Sequence, residues 1–283
     1  MHVIGHITID HVELPNASYV DLGGPPIHCS TMLMHINAPV KPISVVGRDA
    51  LGMLNPLRGL GIDLSLVKVD ECRTTRFRLR YSADYSRELW LMARCRDFKA
   101  EDISADLDVA VINPVAGEFP IGLMPIVKSR SRLVAVDLQG FVRGFRGDGY
   151  VYVKADEAPL SAIAEYADLI KVSLDEAPGR LPRAKLTLVS QGGRLARLIR
   201  GPRTYYFDEV PSVRVVNPTG AGDVLTCAMA HYLRLGLGEV DSFIRAVALS
   251  MVKTTILRPL DKPDLTLLDR LTETLSRLIR SVG

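Results

Sequence analysis

The sequence predicts a doubly wound α/β fold, a mostly parallel sheet with helices on both faces, with a small β-sheet set apart as a lid. Three observations predict it. Short apolar runs rich in Val, Ile and Leu recur along the chain, helix-patterned stretches separate several of them, and one region breaks the rhythm with two alternating segments. Strands that alternate with helices pair in parallel, because each crossover brings the chain back to the same end of the sheet. At 283 residues and 47% hydrophobic content the chain can bury such a core. It is read as a single domain, 1–283, with lid strands around 12–22 and 64–95.

Taken in order, residues 3–9 read as the first strand, residues 26–37 as a helix, and ISVVG at 43–47 as the next strand. Further strands are LDVAVI at 107–112, RLVAVDL at 132–138, ADLIKV at 167–172 and KLTLVS at 185–190. PIGLMPIVK at 120–128 and PLSAIAEYA at 159–167 carry helical patterns, and the chain from about 221 to 281 is nearly all helical in pattern. TTRFRLRY at 74–81 and RELWLMAR at 87–94 alternate like antiparallel strands around a turn at Ala83 and Asp84. With residues 12–22 they make the small sheet, which is either an ordinary edge hairpin or a lid over a pocket. Trp90 and its neighbours form an apolar patch there, turned to substrate or to a second copy of the chain, so a homodimer through the lid is expected.

Composition narrows the partners. A net charge of +3, with Lys and Arg dispersed among Asp and Glu, excludes nucleic-acid binding by bulk charge. No apolar run reaches the roughly 20 residues of a bilayer span, and the first residues lack the pattern of a signal peptide. Cys29, Cys72, Cys95 and Cys227 stand far apart with no C-x-x-C pair, which speaks against a disulfide framework or a zinc cluster. The expectation is a cytoplasmic protein with a small-molecule partner.

The segment VVNPTGAGDVLTCAMAHYL at 215–233 carries the chemistry. Val224, Leu225, Ala228, Met229, Tyr232 and Leu233 recur at helical spacing, so Thr219-Gly220-Ala221-Gly222 opens directly into a helix. Such a start presents unpaired N–H groups and the positive end of the helix dipole to an anion. Asp223 stands beside that anion pocket, either as a helix-capping carboxylate or as a base for an attacking hydroxyl. The chain has no Walker loop, no dinucleotide fingerprint, no H-E-x-x-H and no G-x-S-x-G.

N-P-T-G-A-G-D at 217–223 resembles the D-T-x-G-A-G-D signature of the ribokinase family, also called the phosphofructokinase-B type of carbohydrate kinases. The resemblance implies that Asp223 is the catalytic base and that Gly220, Ala221 and Gly222 form the anion hole. Asn217 takes the place of the family's first Asp, and with Thr219 it is expected on the nucleotide side. The resemblance extends over nearly the whole length. Asp10 ends a segment that looks like the family's first strand, whose terminal Asp binds substrate hydroxyls. Gly23-Gly24 resembles the motif that admits the substrate, with His28 where many relatives have Asn. VVGRDALG at 45–52 is similar to the V-G-x-D-x-x-G segment. KVSLDEA at 171–177 lies at the N-x-x-E motif linked to Mg²⁺, with Glu176 retained and Ser173 in place of Asn. Glu176 is there a metal contact or an exposed helix-end residue. SQGG at 190–193 falls near the nucleotide loop, where Ser190 and Gly192 fit.

VAVDLQGFVRG at 134–144 bears on the acceptor. A buried strand ends at Asp137 and releases Gln139 at the carboxyl edge, where open α/β sheets bind ligands. Together they suit a ring of hydroxyls or serve only as turn residues. Arg143 faces solvent in this reading, or else the donor phosphates. With INPVAGEFP at 112–120, the segment resembles the archaeal myo-inositol kinases within the family. That implies ATP and Mg²⁺ as cofactors and myo-inositol or a similar cyclitol or sugar as acceptor. Two rivals stand beside it: a nucleoside kinase using Phe77, Tyr81 and Trp90 as a base slot, and a non-catalytic ligand-binding or regulatory member of the family.

Overall fold

The computed structural model describes residues 1–103, 106–154, 158–177, 181–182, 184–192, 195–208 and 210–283. The chain opens with β1 (His2–Ile4), β2 (Thr8–Leu14), β3 (Ala17–Gly23), α1 (Pro25–Leu33), β4 (Lys41–Gly47), α2 (Asn55–Gly59) and β5 (Val67–Asp70). It continues through β6 (Arg76–Tyr81), β7 (Arg87–Ala93), β8 (Asp108–Ile112), α3 (Met124–Ser129), β9 (Ser131–Asp137) and the single turn α4 (Gln139–Val142). The hairpin β10 (Arg143–Phe145) and β11 (Val151–Val153), α5 (Ala158–Tyr166), β12 (Leu169–Ser173), β13 (Leu186–Gln191), β14 (Leu195–Arg200) and β15 (Arg203–Phe207) follow. The last quarter holds α6 (Ala221–Arg234), α7 (Glu239–Lys253), α8 (Leu265–Leu278) and β16 (Ile279–Val282).

Among the described residues, ten strands form the main sheet in the order β16-β15-β14-β13-β12-β9-β8-β1-β4-β5. From β13 across to β5 every pair is parallel, while β14, β15 and β16 add an antiparallel margin. Successive strand residues point to opposite faces, and the two cores divide accordingly. Val3, Val109 and Val111 pack with α1, α6 and α7, whereas Ile4, Ala110 and Ile112 pack with Met124, Val127 and Ile163 of α3 and α5. The chain runs outward from β1 to β4 and β5, then returns to pair β8 on the other side of β1. The strand order therefore reverses between β1 and β8, and a crevice at the carboxyl ends of those strands is where such sheets bind ligands.

The small sheet has the order β3-β2-β6-β7, with β2 antiparallel to β3 and parallel to β6. It contains both alternating segments expected in it. The strand expected over residues 3–9 is, however, two strands in two sheets. Gly5 ends the first, and its N–H donates to Ile43 O at 3.2 Å. The His6 N–H then donates to Glu118 Oε1 at 2.9 Å and the Ile7 N–H to Ser44 Oγ at 2.7 Å. Buried side chains satisfy the backbone as it crosses between sheets, so the apolar run stays continuous while the pairing changes.

Other expectations are corrected. The C-terminal run ends in β16, which pairs antiparallel with β15, rather than as helix. The cysteines, far apart in sequence, are paired: Cys29 with Cys227 at a Cα separation of 6.2 Å, and Cys72 with Cys95 at 5.2 Å. Packing α1 against α6 closes the first pair, and sequence spacing carries no measure of that. Trp90 is no open apolar patch, since the guanidinium groups of Arg78 and Arg80 lie 5.6 and 5.5 Å from its ring centre and Tyr150 meets its edge. No helix among the described residues is long and apolar enough to cross a membrane.

Candidate active site

The site starts at the head of α6. Asn217 Oδ1 accepts the Thr219 N–H at 3.0 Å, a local turn that sets up the helix, and Gly220 then adopts φ +81°. A side chain at Gly220 would run into the His28 ring of α1 as well as strain the backbone, so glycine is required twice over. The Ala221 N–H turns back to Pro218 O at 3.2 Å, so within the Gly220–Gly222 turn it is not free for an anion. Gly222 keeps the approach open: a Cβ there would stand 2.9 Å from Lys171 Nζ.

Asp223 follows, in the first turn of α6, nine-tenths buried. Its Oδ1 accepts from Asn113 Nδ2 at 3.1 Å and from Gln139 Nε2 at 2.8 Å. No donor among the described residues engages Oδ2. Burial, and secondarily the Asp137 carboxylate, push its pKa up to about 6, while Lys171 and the two amide donors pull the other way. The group is thus an ionised, weakly solvated carboxylate near neutrality with one oxygen fixed in place.

The partners of Asp223 come from strand ends at the switch point. Asn113 directly follows β8, and its N–H donates to Ile4 O of β1 at 2.8 Å. The buried Glu118 gathers the N–H groups of His6, Val115 and Ala116 and so shapes the loop after Asn113. Gln139 Nε2 also donates to Asn113 Oδ1 at 2.7 Å, and its Oε1 accepts from Arg143 Nη2 at 2.7 Å. Arg143 in turn clasps Glu176 Oε1 through Nε at 3.0 Å and Nη2 at 2.8 Å. A continuous chain, Asp223–Gln139–Arg143–Glu176, spans the carboxyl ends of β9 and β12.

That chain revises two assignments. Arg143, expected in solvent, is only 4% exposed. Glu176 is neither a free metal contact nor an exposed helix-end residue: Arg143 occupies its Oε1, and Arg87 Nη2 stands 3.7 Å away. Burial would raise its pKa, but Arg143, Arg87 and Lys171 outweigh burial and hold it at about 2. No group of three His, Cys, Asp or Glu side chains among the described residues is arranged to hold a metal. The donor set does not fit a divalent ion bound by Glu176.

A second polar cradle lies on the small sheet. Asp10 of β2 packs against Gly23 of β3, where any side chain would collide with its carboxylate, and Gly24 (φ +80°) fits against His6 O and Thr8. Asp10 Oδ1, Thr8 Oγ1 and His28 Nδ1 are buried without a hydrogen-bond partner among the described residues. Burial, with the Asp223 charge as a lesser cause, raises Asp10 to about 7, and burial lowers His28 to about 3, so the imidazole is neutral. Orphaned polar atoms are costly in a fold unless a ligand completes them. Such atoms can exchange hydrogen bonds with the hydroxyl groups of a ligand.

Asp137, expected to meet substrate, is buried and salt-bridged to Lys171 Nζ at 3.0 Å, with Thr226 Oγ1 donating to it at 3.3 Å. Asn217 is likewise engaged within the protein: Nδ2 donates to Tyr19 Oη and to Leu257 O, the latter at 2.7 Å. Thr219 Oγ1 bonds Tyr81 Oη of β6 at 2.9 Å, tying the small sheet to the turn that opens α6. Ser190 and Gly192 lie at the carboxyl end of β13, with Ser190 level with Ser173 of β12. Gly193 of the same motif lies outside the described residues. Asn113 and Lys171 escaped the sequence reading. The strand-end position of Asn113 in INPVAGEFP was its only signal, and a lysine in an apolar strand was that of Lys171.

A doubly wound sheet with a carboxylate at a glycine-opened helix, set over its switch point and faced by a small β-sheet, is the ribokinase fold. Residues 149–257 match the pfkB family carbohydrate kinase model. A maize inositol 3-kinase is 31% identical over 156 residues, a match covering 51% of this chain and 41% of the maize protein. Among solved structures, a myo-inositol-3 kinase converted by mutation from a pyrophosphate-dependent myo-inositol-1 kinase superposes with TM-score 0.78 at 24% identity, covering 95% of this chain and 98% of that one. A pyrophosphate-dependent kinase in the ribokinase family, complexed with a pyrophosphate analogue and myo-inositol, gives 0.74 at 23% identity over 89% and 94%. A Burkholderia thailandensis nucleoside kinase with inosine gives 0.79 at 17% identity over 97% and 98%.

Proposed function

We propose that this chain is a kinase that transfers a phosphoryl group to a hydroxyl of a small polyol, with myo-inositol or a similar cyclitol as first acceptor. The observation that carries it is Asp223, its Oδ1 held by Asn113 and Gln139 at the head of α6, with Asp10 Oδ1 and Thr8 Oγ1 of the lid sheet buried without a hydrogen-bond partner among the described residues. The acceptor sits between them. Its oxygen bonds to the terminal phosphorus of the donor, the bond from that phosphorus to the leaving phosphate breaks, and Asp223 takes the proton. The head of α6 stabilises the transferring charge, and the lid sheet, tied down through Tyr81 and Thr219, excludes water.

ATP is the donor we favour, with Ser190 and Gly192 on its nucleoside side. Pyrophosphate is the second reading, because cations (Lys171, Arg143, Arg87) crowd the place where a donor would lie, and a pyrophosphate-dependent kinase shares the fold. A nucleoside acceptor is less well served: Phe77 and Tyr81 are buried in the lid core and Trp90 lies beside Arg78 and Arg80. Pairing of two lids in a homodimer is part of the same proposal, with Val20 and Met92 exposed on that sheet. Sedimentation analysis checks it.

The test is phosphorylated-product formation with ATP or pyrophosphate across myo-inositol, ribose, fructose and inosine. Turnover of a cyclitol, reduced on the order of 10²–10⁴-fold in Asp223→Asn, is the expected result. Turnover of inosine alone would move the assignment to the nucleoside class. Ligand binding without turnover on any donor would favour a non-catalytic member.

A further inference from the structure

The middle of β12 holds a lysine where a parallel strand, covered on both faces, ordinarily carries apolar residues. Lys171 is 4% exposed, flanked in sequence by the buried Ile170 and Val172. A charge so placed is costly unless it is paired or used. One partner is visible: Asp137 Oδ2, 3.0 Å from Nζ, itself fixed by Thr226 from the second turn of α6. The other neighbour is backbone. Gly222 presents its bare Cα to Nζ, and an added Cβ would stand only 2.9 Å from the ammonium. The cation therefore lies against the first turn of α6, one residue before Asp223, at the same mouth where the helix offers its N–H groups.

We propose that Lys171 is a catalytic residue that contacts the transferred phosphoryl group, with Asp137 as the residue that positions it. This rests on the kinase reading of the site. It names a function for an ion pair that the acceptor and the Asp223–Gln139–Arg143–Glu176 chain leave unexplained. Three donors in a ready ammonium, one spent on Asp137, leave two for phosphoryl oxygens. The contact is with an oxygen common to ATP and pyrophosphate, so it holds for either donor. In a low-dielectric site a fixed cation aimed at developing negative charge gives one of the larger contributions to catalysis. It also accounts for Gly222: any larger residue would push Nζ away from the mouth. The same charge restrains the base. Asp223 faces Lys171 from β12, Asp137 from β9, Lys253 from α7, Asp10 from β2 and Arg87 from β7.

Lys171→Met and Lys171→Gln are compared with the wild-type chain, Gln keeping a donor toward Asp137 while removing the charge. Folding is confirmed by thermal unfolding. We expect kcat to fall on the order of 10²–10³-fold with the acceptor KM changed only a few-fold. The acid limb of the pH–rate profile should move to higher pH, whereas Asp137→Asn, with one negative neighbour fewer, should move it lower. Calorimetric binding of inorganic pyrophosphate should weaken at least tenfold in both Lys171 variants. A folded Lys171→Gln chain with wild-type kcat and unchanged pyrophosphate affinity overturns the proposal. If the wild-type chain phosphorylates none of the acceptors, the kinase reading fails on its own, and pyrophosphate binding still decides whether Lys171 holds phosphate.

Discussion

At the scale of the residue, one carboxylate and one ammonium show how burial sets chemistry. Asp223 is raised to about 6, chiefly by burial. As the proposed base, Asp223 acts only when ionised, so kcat/KM for the favoured acceptor should climb with pH and level off above about 6. A profile already flat from pH 4 would contradict this. Lys253, at the end of α7, is 1% exposed, and its Nζ has no hydrogen-bond partner among the described residues. Burial lowers it from 10.5 to about 8. Between those values the folded chain has released a proton that the unfolded chain keeps, so stability rises with pH across that window. Below pH 8 the buried charge costs on the order of 3 kcal/mol by the same linkage. Lys253→Met is therefore expected to raise the denaturation midpoint at pH 7 and to lose that advantage by pH 10.5, as urea titrations at the two pH values would show.

At the scale of the element, the turn that opens α6 is held in place by its neighbours as much as by its own sequence. Asn217 joins three parts: the turn that opens α6, Tyr19 on the lid sheet, and the chain after α7 at Leu257. Asn217→Ala removes all three contacts and leaves a buried carbonyl and N–H to find new partners. A loss of about 1–3 kcal/mol in unfolding free energy is expected, with kcat falling alongside because the turn before Gly220 loosens. Retained stability together with weakened nucleotide binding would instead restore Asn217 to the donor side. Much of this was legible from sequence: the Gly-Ala-Gly-Asp turn into a helix, the Gly23-Gly24 entry to α1 and the two alternating strands of the small sheet are local patterns. The split at Gly5 was not, because pairing to a second sheet leaves no mark on an apolar run.

For the whole molecule, the cysteine pairs show how tertiary structure overrides spacing. Cys29 and Cys227 are 198 residues apart, and their link joins α1, with His28, to α6, with Asp223. Closing so long a loop restricts the unfolded chain, an effect typically worth about 2–4 kcal/mol. Reduction should therefore lower the thermal midpoint of the wild-type chain, and Cys29→Ser should reproduce most of the shift without reductant. Equal midpoints before and after reduction would show that the pair adds nothing to stability.

By itself the sequence determined the periodic elements, the glycine-opened helix and the identity of its carboxylate, since each depends on residues a few positions apart whose steric and hydrogen-bonding preferences act locally. Only the tertiary structure decided which buried charges meet. Asp137 reads as a free strand-end acceptor until β12 lies beside β9 and supplies Lys171. Glu176 reads as a metal contact until Arg143, 33 residues earlier, closes on it. Electrostatic partners are set by distance in space, and in a doubly wound sheet neighbouring strands arrive from distant parts of the chain.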